Sequence, residues 1–294
     1  MLGAEDRPIW DDAAVTSQFR LRTRFGPAVM HEANAHAEPG AAECAQRLDL
    51  RDHLSLTIDP EDARDHDDAL SLRAVREGRW EVGIHIADVS HYVPEGGAVD
   101  SEAVERGTSC YLPGGVIPML PERLSSDLCS LRPGRDRLTL SVLVELDERG
   151  GRHEVRFAET VIHSRHRLTY GQVQEALEGR GDLDAALTRT LATLRDLARA
   201  LRRQRFAAGA LELEVAEVKA VVDDQGVPLR LERRQHLESH ELIEEFMLLA
   251  NRCVGEEGSR GQKSAAVSSA RNVNPSSGRS RSIRTAAATA SRAI

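Results

Sequence analysis

Aromatic side chains make up only 3% of this 294-residue chain, and no apolar run approaches the roughly 18 residues of a membrane span. A membrane-spanning protein is therefore not expected. With 40% hydrophobic residues, the chain has enough apolar material for one large core or two small ones. The opening stretch, MLGAEDRPIWDD, is acidic and lacks the basic start and apolar segment of a signal peptide. Cysteine is scarce and scattered. Cys44, Cys110, Cys129 and Cys253 show no Cys-x-x-Cys spacing, so neither a zinc site nor a disulfide framework is indicated, and free thiols in a reducing cytoplasm are expected. Acid is missing from one end: from Gly258 onward there are seven Lys or Arg and no Asp or Glu. The first 257 residues therefore carry 32 basic and 47 acidic groups, a balance of −15. Nucleic-acid binders ordinarily show a basic footprint. A body this acidic must recruit cations before it can approach phosphate.

Four zones follow along the chain. Residues 1–47 contain Pro8, Pro27, Pro39 and Gly40 around a short apolar stretch, and read as a linker or domain edge. From LDLRDHLSLTID to about Val161 the pattern has period two, which predicts strands. WEVGIHIADVSHYV sets Val82, Ile84 and Ile86 on one face, and RLTLSVLVELDERGGRHEVRFAETVI reads as a hairpin turning at DERGG. GTSCYLPGGVIPMLPERLSS, rich in Pro and Gly, reads as a long surface loop. Helical spacing takes over in LDAALTRTLATLRDLARALRRQRF, where Leu187, Leu191, Leu194 and Leu201 make a stripe, Ala198 fills the gap and arginines occupy a solvated face. A second hairpin is predicted around DDQG. HELIEEFMLLANRCV then returns to helix, with Ile243, Phe246, Met247 and Ala250 toward a core. Strands and helices in this order predict an α+β fold, a mixed sheet with flanking helices. Residues 258–294 have no aromatic, leucine or acid and cannot bury enough apolar area to order themselves. They read either as a basic, disordered RNA-binding tail or as out-of-frame translation of a GC-rich gene. The mid-helix change of composition after NRCVGEE favours the second.

The most informative stretch is TIDPEDARDHDDAL, residues 57–70, with Asp59, Glu61, Asp62, Asp65, Asp67 and Asp68 against a single arginine. Two unit charges about 5 Å apart repel by about 3 kcal/mol at an effective dielectric near 20. Asp59 precedes Pro60 and so should end a strand. Asp67 and Asp68 are adjacent and would face opposite ways on a strand, so convergence requires a loop at a strand end. The EF-hand pattern fails from either Asp59 or Asp65. A hydrated acidic loop is the plain alternative, weakened by apolar sequence close on both sides. An oxygen-only donor set in a partly buried place points to a hard cation, Mg²⁺ or Mn²⁺, and so to phosphodiester hydrolysis.

DLRDHLSLTIDPEDARDHDDALSL, VGIHIADVSHYV, RGTSCYLPGGVIPMLPERLSSDLCSL, DRLTLSVLVELD, LTYGQVQEAL and LIEEFMLLAN together resemble the catalytic domain of the ribonuclease II and ribonuclease R family, closer to ribonuclease R. The resemblance covers about residues 48–257. It implies a processive exoribonuclease that degrades single-stranded RNA from the 3′ end to nucleoside 5′-monophosphates with Mg²⁺, as a cytoplasmic monomer. It also implies that Asp59, Asp65 and Asp68 hold metal, that Asp67 serves the chemistry, and that Tyr111 stacks on a base near the cleaved end. Glu61 and Asp62 are left as surface acids, His66 as packing, and His85 and Asp88 as structural. Asn251 also fits the family pattern, and its role stays open.

The departures are as definite. Residues 1–47 are too short for the family's preceding RNA-binding OB-fold domains, and nothing in residues 258–294 resembles the arginine that contacts the scissile phosphate or the later acidic segment. Such electrostatic stabilisation is commonly worth a hundredfold or more in rate. A truncated chain with weak or no activity is therefore expected. A noncatalytic RNA-binding fragment and a non-functional product are the alternatives.

Overall fold

A computed structural model describes residues 8–112, 115–211, 218–223, 228–233 and 235–269. They fall into two compact units, one drawn from residues 1–37, 92–125 and 211–236 and the other from residues 38–91, 126–210 and 237–294.

The first unit contains α1 (Pro8–Gln18), α2 (Pro27–Asn34), α5 (Ala98–Arg106) and two hairpins. Helix α2 starts on Pro27, where a missing N–H costs nothing, and buries Val29 and Ala33. Its Glu32 carboxylate accepts from the Ala98 and Val99 amides at 2.6 and 3.2 Å, supplying α5 with the acceptor its glycine N-cap lacks. Glu102 of α5 accepts from Arg22 and Arg106, and the Arg106 guanidinium lies 3.8 Å from the centre of the Phe25 ring. The segment expected as a linker or edge thus forms helices, α3 (Ala41–Cys44) of the second unit included. The Pro- and Gly-rich stretch expected as a loop contains a small antiparallel pair, β5 (Cys110–Leu112) with β6 (Gly115–Ile117). A π-helical turn follows at Leu124–Leu128. The hairpin around DDQG pairs β9 (Val218–Val222) with β10 (Pro228–Arg233), and residues 224–227 of its turn lie outside the described residues.

The second unit is organised by six strands: β1 (Leu48–Asp49), β2 (Ser55–Asp59), β3 (Asp68–Arg76), β4 (Arg79–Ala87), β7 (Asp136–Asp147) and β8 (Arg152–Thr169). Strand β2 pairs antiparallel with β3, β3 with β4 and β4 with β7. Strand β7 is antiparallel to β8 over Arg152–His163, as the DERGG hairpin predicts. Further along, β8 runs parallel to β2, from Ser164 to Thr169. The long β8 therefore meets both ends of the row and closes β2, β3, β4, β7 and β8 into a ring.

Period-two alternation gives this barrel two faces with different chemistry. Outward-facing Leu56, Ile58, Leu70, Val82, Ile84, Val142, Val144 and Leu146 join one core with the helices α6 (Tyr170–Leu177), α7 (Ala185–Ala207) and α8 (Glu238–Ser269). The leucine stripe Leu187, Leu191, Leu194 and Leu201, with Ala198, lies in that core as its spacing predicts, and so do Ile243, Phe246, Met247 and Ala250. Inward-facing Ser55, Thr57, Ser71, His85, Thr139, Ser141 and Thr160 are small or polar and all buried. His85 bridges Ser71 Oγ at 2.9 Å through Nε2 and Ser141 Oγ at 2.7 Å through Nδ1, and Ser141 meets Thr160 Oγ1 at 2.6 Å. Five strands leave a narrow lumen that such side chains fill. At one mouth Glu81 accepts from Arg73 and Arg156. The other mouth carries the acidic loop.

Helices α6 and α7 begin where their sequences provide caps. Thr169 and Gln172 form a reciprocal capping box, and Asp184 accepts from the Ala186 and Leu187 amides. Helix α8 continues without a break from Glu257 to Ser269, across the position where a disordered tail is expected to start, and residues 270–294 lie outside the described residues. No helix among the described residues is long and apolar enough to cross a membrane, and the four cysteines are free.

Candidate active site

Asp59 is the last residue of β2 and Asp68 the first of β3, with Pro60 and the irregular segment to Asp67 between them. Antiparallel pairing of Leu56 with Leu70 brings these strand ends side by side, so the barrel itself gathers the carboxylates at one mouth. Asp67 is held by its backbone, its carbonyl accepting from the Ala87 amide at 2.9 Å. Asp59 is buried and its Oδ2 lies 2.8 Å from His66 Nδ1. Asp65 is partly exposed, whereas Glu61 and Asp62 lie on the surface as expected.

Asp67 and Asp68 are half-buried and make no ion pair among the described residues. Burial, reinforced by the Asp65 and Asp59 charges, pushes the Asp67 carboxyl up to about 7. Burial together with Asp59 and Asp67 raises Asp68 to about 7 as well. Oxygen donors that repel one another in a partly buried place are the set a hard divalent cation satisfies. The described residues stop short of a closed coordination shell: no three His, Cys, Asp or Glu side chains converge tightly enough to hold an ion.

His66 is buried, as a packing role requires, but its ring also orients Asp59. His85 sits in the barrel lumen, and burial, with a further push from the neighbouring His53 charge, lowers it to about 3. Asp88 ties down a turn: Oδ1 accepts from Ser90 Oγ and the His91 amide, and Oδ2 accepts from Arg47 at 2.6 Å. Tyr111 lies on β5 in the other compact unit and is 70% exposed. Asn251 is half-buried on α8.

Several supporting residues escape a reading by spacing. Arg167 Nη2 donates to the carbonyls of Glu61 and Ala63 at 2.6 and 3.3 Å. Arg137 is fully buried and donates to the Ser130 and Asp127 carbonyls. Spacing gave no signal for Arg137, which falls in register with Thr139 and Ser141 on the polar positions of β7.

Residues 47–289 match the family model of the RNB domain. The chain belongs to the RNB-domain family. Ribonuclease R of Thermotoga maritima is 41% identical over 264 residues, which cover 87% of this chain and 37% of that protein. DIS3-like exonuclease 2 of Schizosaccharomyces pombe is 44% identical over 227 residues, 73% of this chain and 24% of the relative. Among solved structures, Mycoplasma genitalium RNase R in complex with ribose methylated single-stranded RNA superposes with a TM-score of 0.84 at 29% identity, over 89% of this chain and 41% of that one. The chain spans about a third of the length of the curated relatives it matches. The mixed sheet and flanking helices expected from sequence are thus those of an RNB domain.

Proposed function

We propose that the protein is a metal-dependent 3′–5′ exoribonuclease that hydrolyses single-stranded RNA processively to nucleoside 5′-monophosphates. The observation that carries this reading is the pair Asp67 and Asp68, gathered at the barrel mouth beside Asp59 and Asp65 and raised to about 7 by burial and by the neighbouring carboxylates, in a chain of the RNB-domain family. Asp59, Asp65 and Asp68 would hold Mg²⁺ (or Mn²⁺), which when bound activates water and neutralises charge on the leaving oxygen. Asp67, fixed through its carbonyl and flanked by two of these ligands, is assigned to the chemistry itself. His66 holds the Asp59 carboxylate in orientation. Tyr111 presents an exposed ring, and stacking contributes about 1–3 kcal/mol per base without regard to sequence. Both features suit a nuclease that does not select its substrate by sequence.

The test is a time course on 5′-labelled single-stranded RNA. Shortening from the 3′ end with release of 5′-mononucleotides, abolished by EDTA, is expected, and Asp67→Asn should lower the rate at least a hundredfold while RNA affinity stays within about threefold. Turnover by this chain alone is expected to be far below that of a full-length ribonuclease R. Hydrolysis that survives EDTA, or that yields 3′-phosphates, would overturn the reading. A second reading draws on the lack of a closed ligand set among the described residues: the chain alone binds RNA without turnover. Filter binding that is Mg²⁺-independent, with no mononucleotide released, would favour it.

A further inference from the structure

The acidic loop has little regular structure of its own, yet its chemistry depends on where Asp65 and Asp59 point. One side chain outside the loop fixes that. Ser130, fully buried, donates through Oγ to the Arg64 carbonyl at 2.9 Å and accepts at the same oxygen from the His66 amide at 3.1 Å. A single hydroxyl thus grips the backbone on either side of Asp65. The next residue adds a third bond, its Leu131 amide donating to the His66 carbonyl at 2.8 Å. Ser130 is in turn held from behind, because its carbonyl accepts from Arg137 Nε at 2.9 Å. Arg137, 1% exposed, also donates from Nη2 to the Asp127 carbonyl at 3.1 Å and pairs with Glu38. Fixing His66 then carries over to Asp59 through the 2.8 Å contact of Nδ1 with Oδ2.

We infer that Ser130 is a positioning residue for the candidate metal site: backed by Arg137, its hydroxyl sets the backbone around Asp65 and, through His66, the orientation of Asp59. The role rests on the reading of these aspartates as metal ligands. It requires a small hydroxyl that donates and accepts at once, which alanine cannot do and a thiol does only weakly.

Two measurements on Ser130→Ala separate the inference from the reading beneath it. Amide hydrogen exchange over residues 60–67 reports the clamp without any metal, and at least tenfold faster exchange at His66 is expected. Mn²⁺ titration followed by electron paramagnetic resonance reports the site, and affinity about tenfold weaker than wild type is expected, with a cooperative melt retained. Ser141→Ala, which removes a buried lumen hydroxyl that bonds His85 rather than the backbone around Asp65, should change neither. Ser130→Cys, closer in volume, replaces the alanine variant if that fails to melt cooperatively. Unchanged exchange at His66, Mn²⁺ affinity equal to wild type, or an equal loss of affinity in Ser141→Ala would overturn the inference. Absence of Mn²⁺ binding by the wild-type chain and by Asp68→Asn alike would instead sink the metal reading, leaving hydrogen exchange to decide the clamp.

Discussion

His85 shows how a residue in a known motif can be structural. Its ring nitrogens are occupied by Ser71 and Ser141, and burial keeps it neutral down to about pH 3, against an ordinary value of 6.5. Between those values the unfolded chain binds a proton that the folded one refuses, so stability falls as pH drops from about 6.5 toward 3. The slope from this residue can reach about 1.4 kcal/mol per pH unit. Chemical denaturation at pH 7 and pH 5 should show wild type losing more stability than His85→Gln, each relative to its own value at pH 7. Gly83 is the complement of that ring. A Cβ there would stand 2.6 Å from His85 Nε2 and closer still to Ser71 Oγ. Gly83→Ala should cost about 1–3 kcal/mol of overpacking and lower the melting midpoint accordingly. Neither requirement was visible in the sequence, where the alternation set His85 only on the face opposite Val82, Ile84 and Ile86. The closure that narrows the lumen depends on β8 reaching both β7 and β2, which no local pattern records.

Among the elements, those with strong periodicity were legible: the β7–β8 hairpin and the helices α7 and α8 lie where their spacing puts them. The partners of the α7 arginines were not. On the face read as solvated, three of the six also reach across to α8: Arg199 to Glu238, Arg202 to Glu241 at 3.3 Å and Arg205 to Glu245 at 2.5 Å. These pairs are unequal. Glu245 is 4% exposed at its side chain, while Arg199 is 51% exposed. Arg205→Ala strands a buried carboxylate and should destabilise by about 3 kcal/mol, with Arg205→Ala/Glu245→Leu recovering much of the loss. Arg199→Ala, at a solvated pair, should cost less than about 1 kcal/mol. Urea midpoints of the three variants check the ranking. The small β5–β6 pair was missed because its Pro and Gly residues give the composition of a loop, and turn chemistry outweighed three-residue strands.

At the scale of the molecule, the proposed metal site would link folding to ions. Wild type should gain thermal stability from Mg²⁺, by about 2.7 kcal/mol at a hundredfold excess over its dissociation constant. Asp68→Asn removes one of two repelling half-buried carboxylates, so in chelator its melting temperature should rise above that of wild type. Magnesium should then stabilise the variant much less than wild type. An identical Mg²⁺ response in both proteins would mean that Asp68 holds no metal. The carboxylates themselves were legible from TIDPEDARDHDDAL, since six acids against one base in an apolar setting demand an explanation. Their supports were not: Ser130 lies 64 residues from His66 and Arg167 lies 106 from Glu61, separations bridged only by the folded barrel.

Closure of the five strands has one more outcome. A sheet with two margins can fray from either, one ladder at a time, whereas a ring offers no outermost strand to peel. Removing any one of its strands means rupturing the ladders on both flanks of that strand together. The acids therefore stand on a hoop from which no member strand can leave without two ladders giving way.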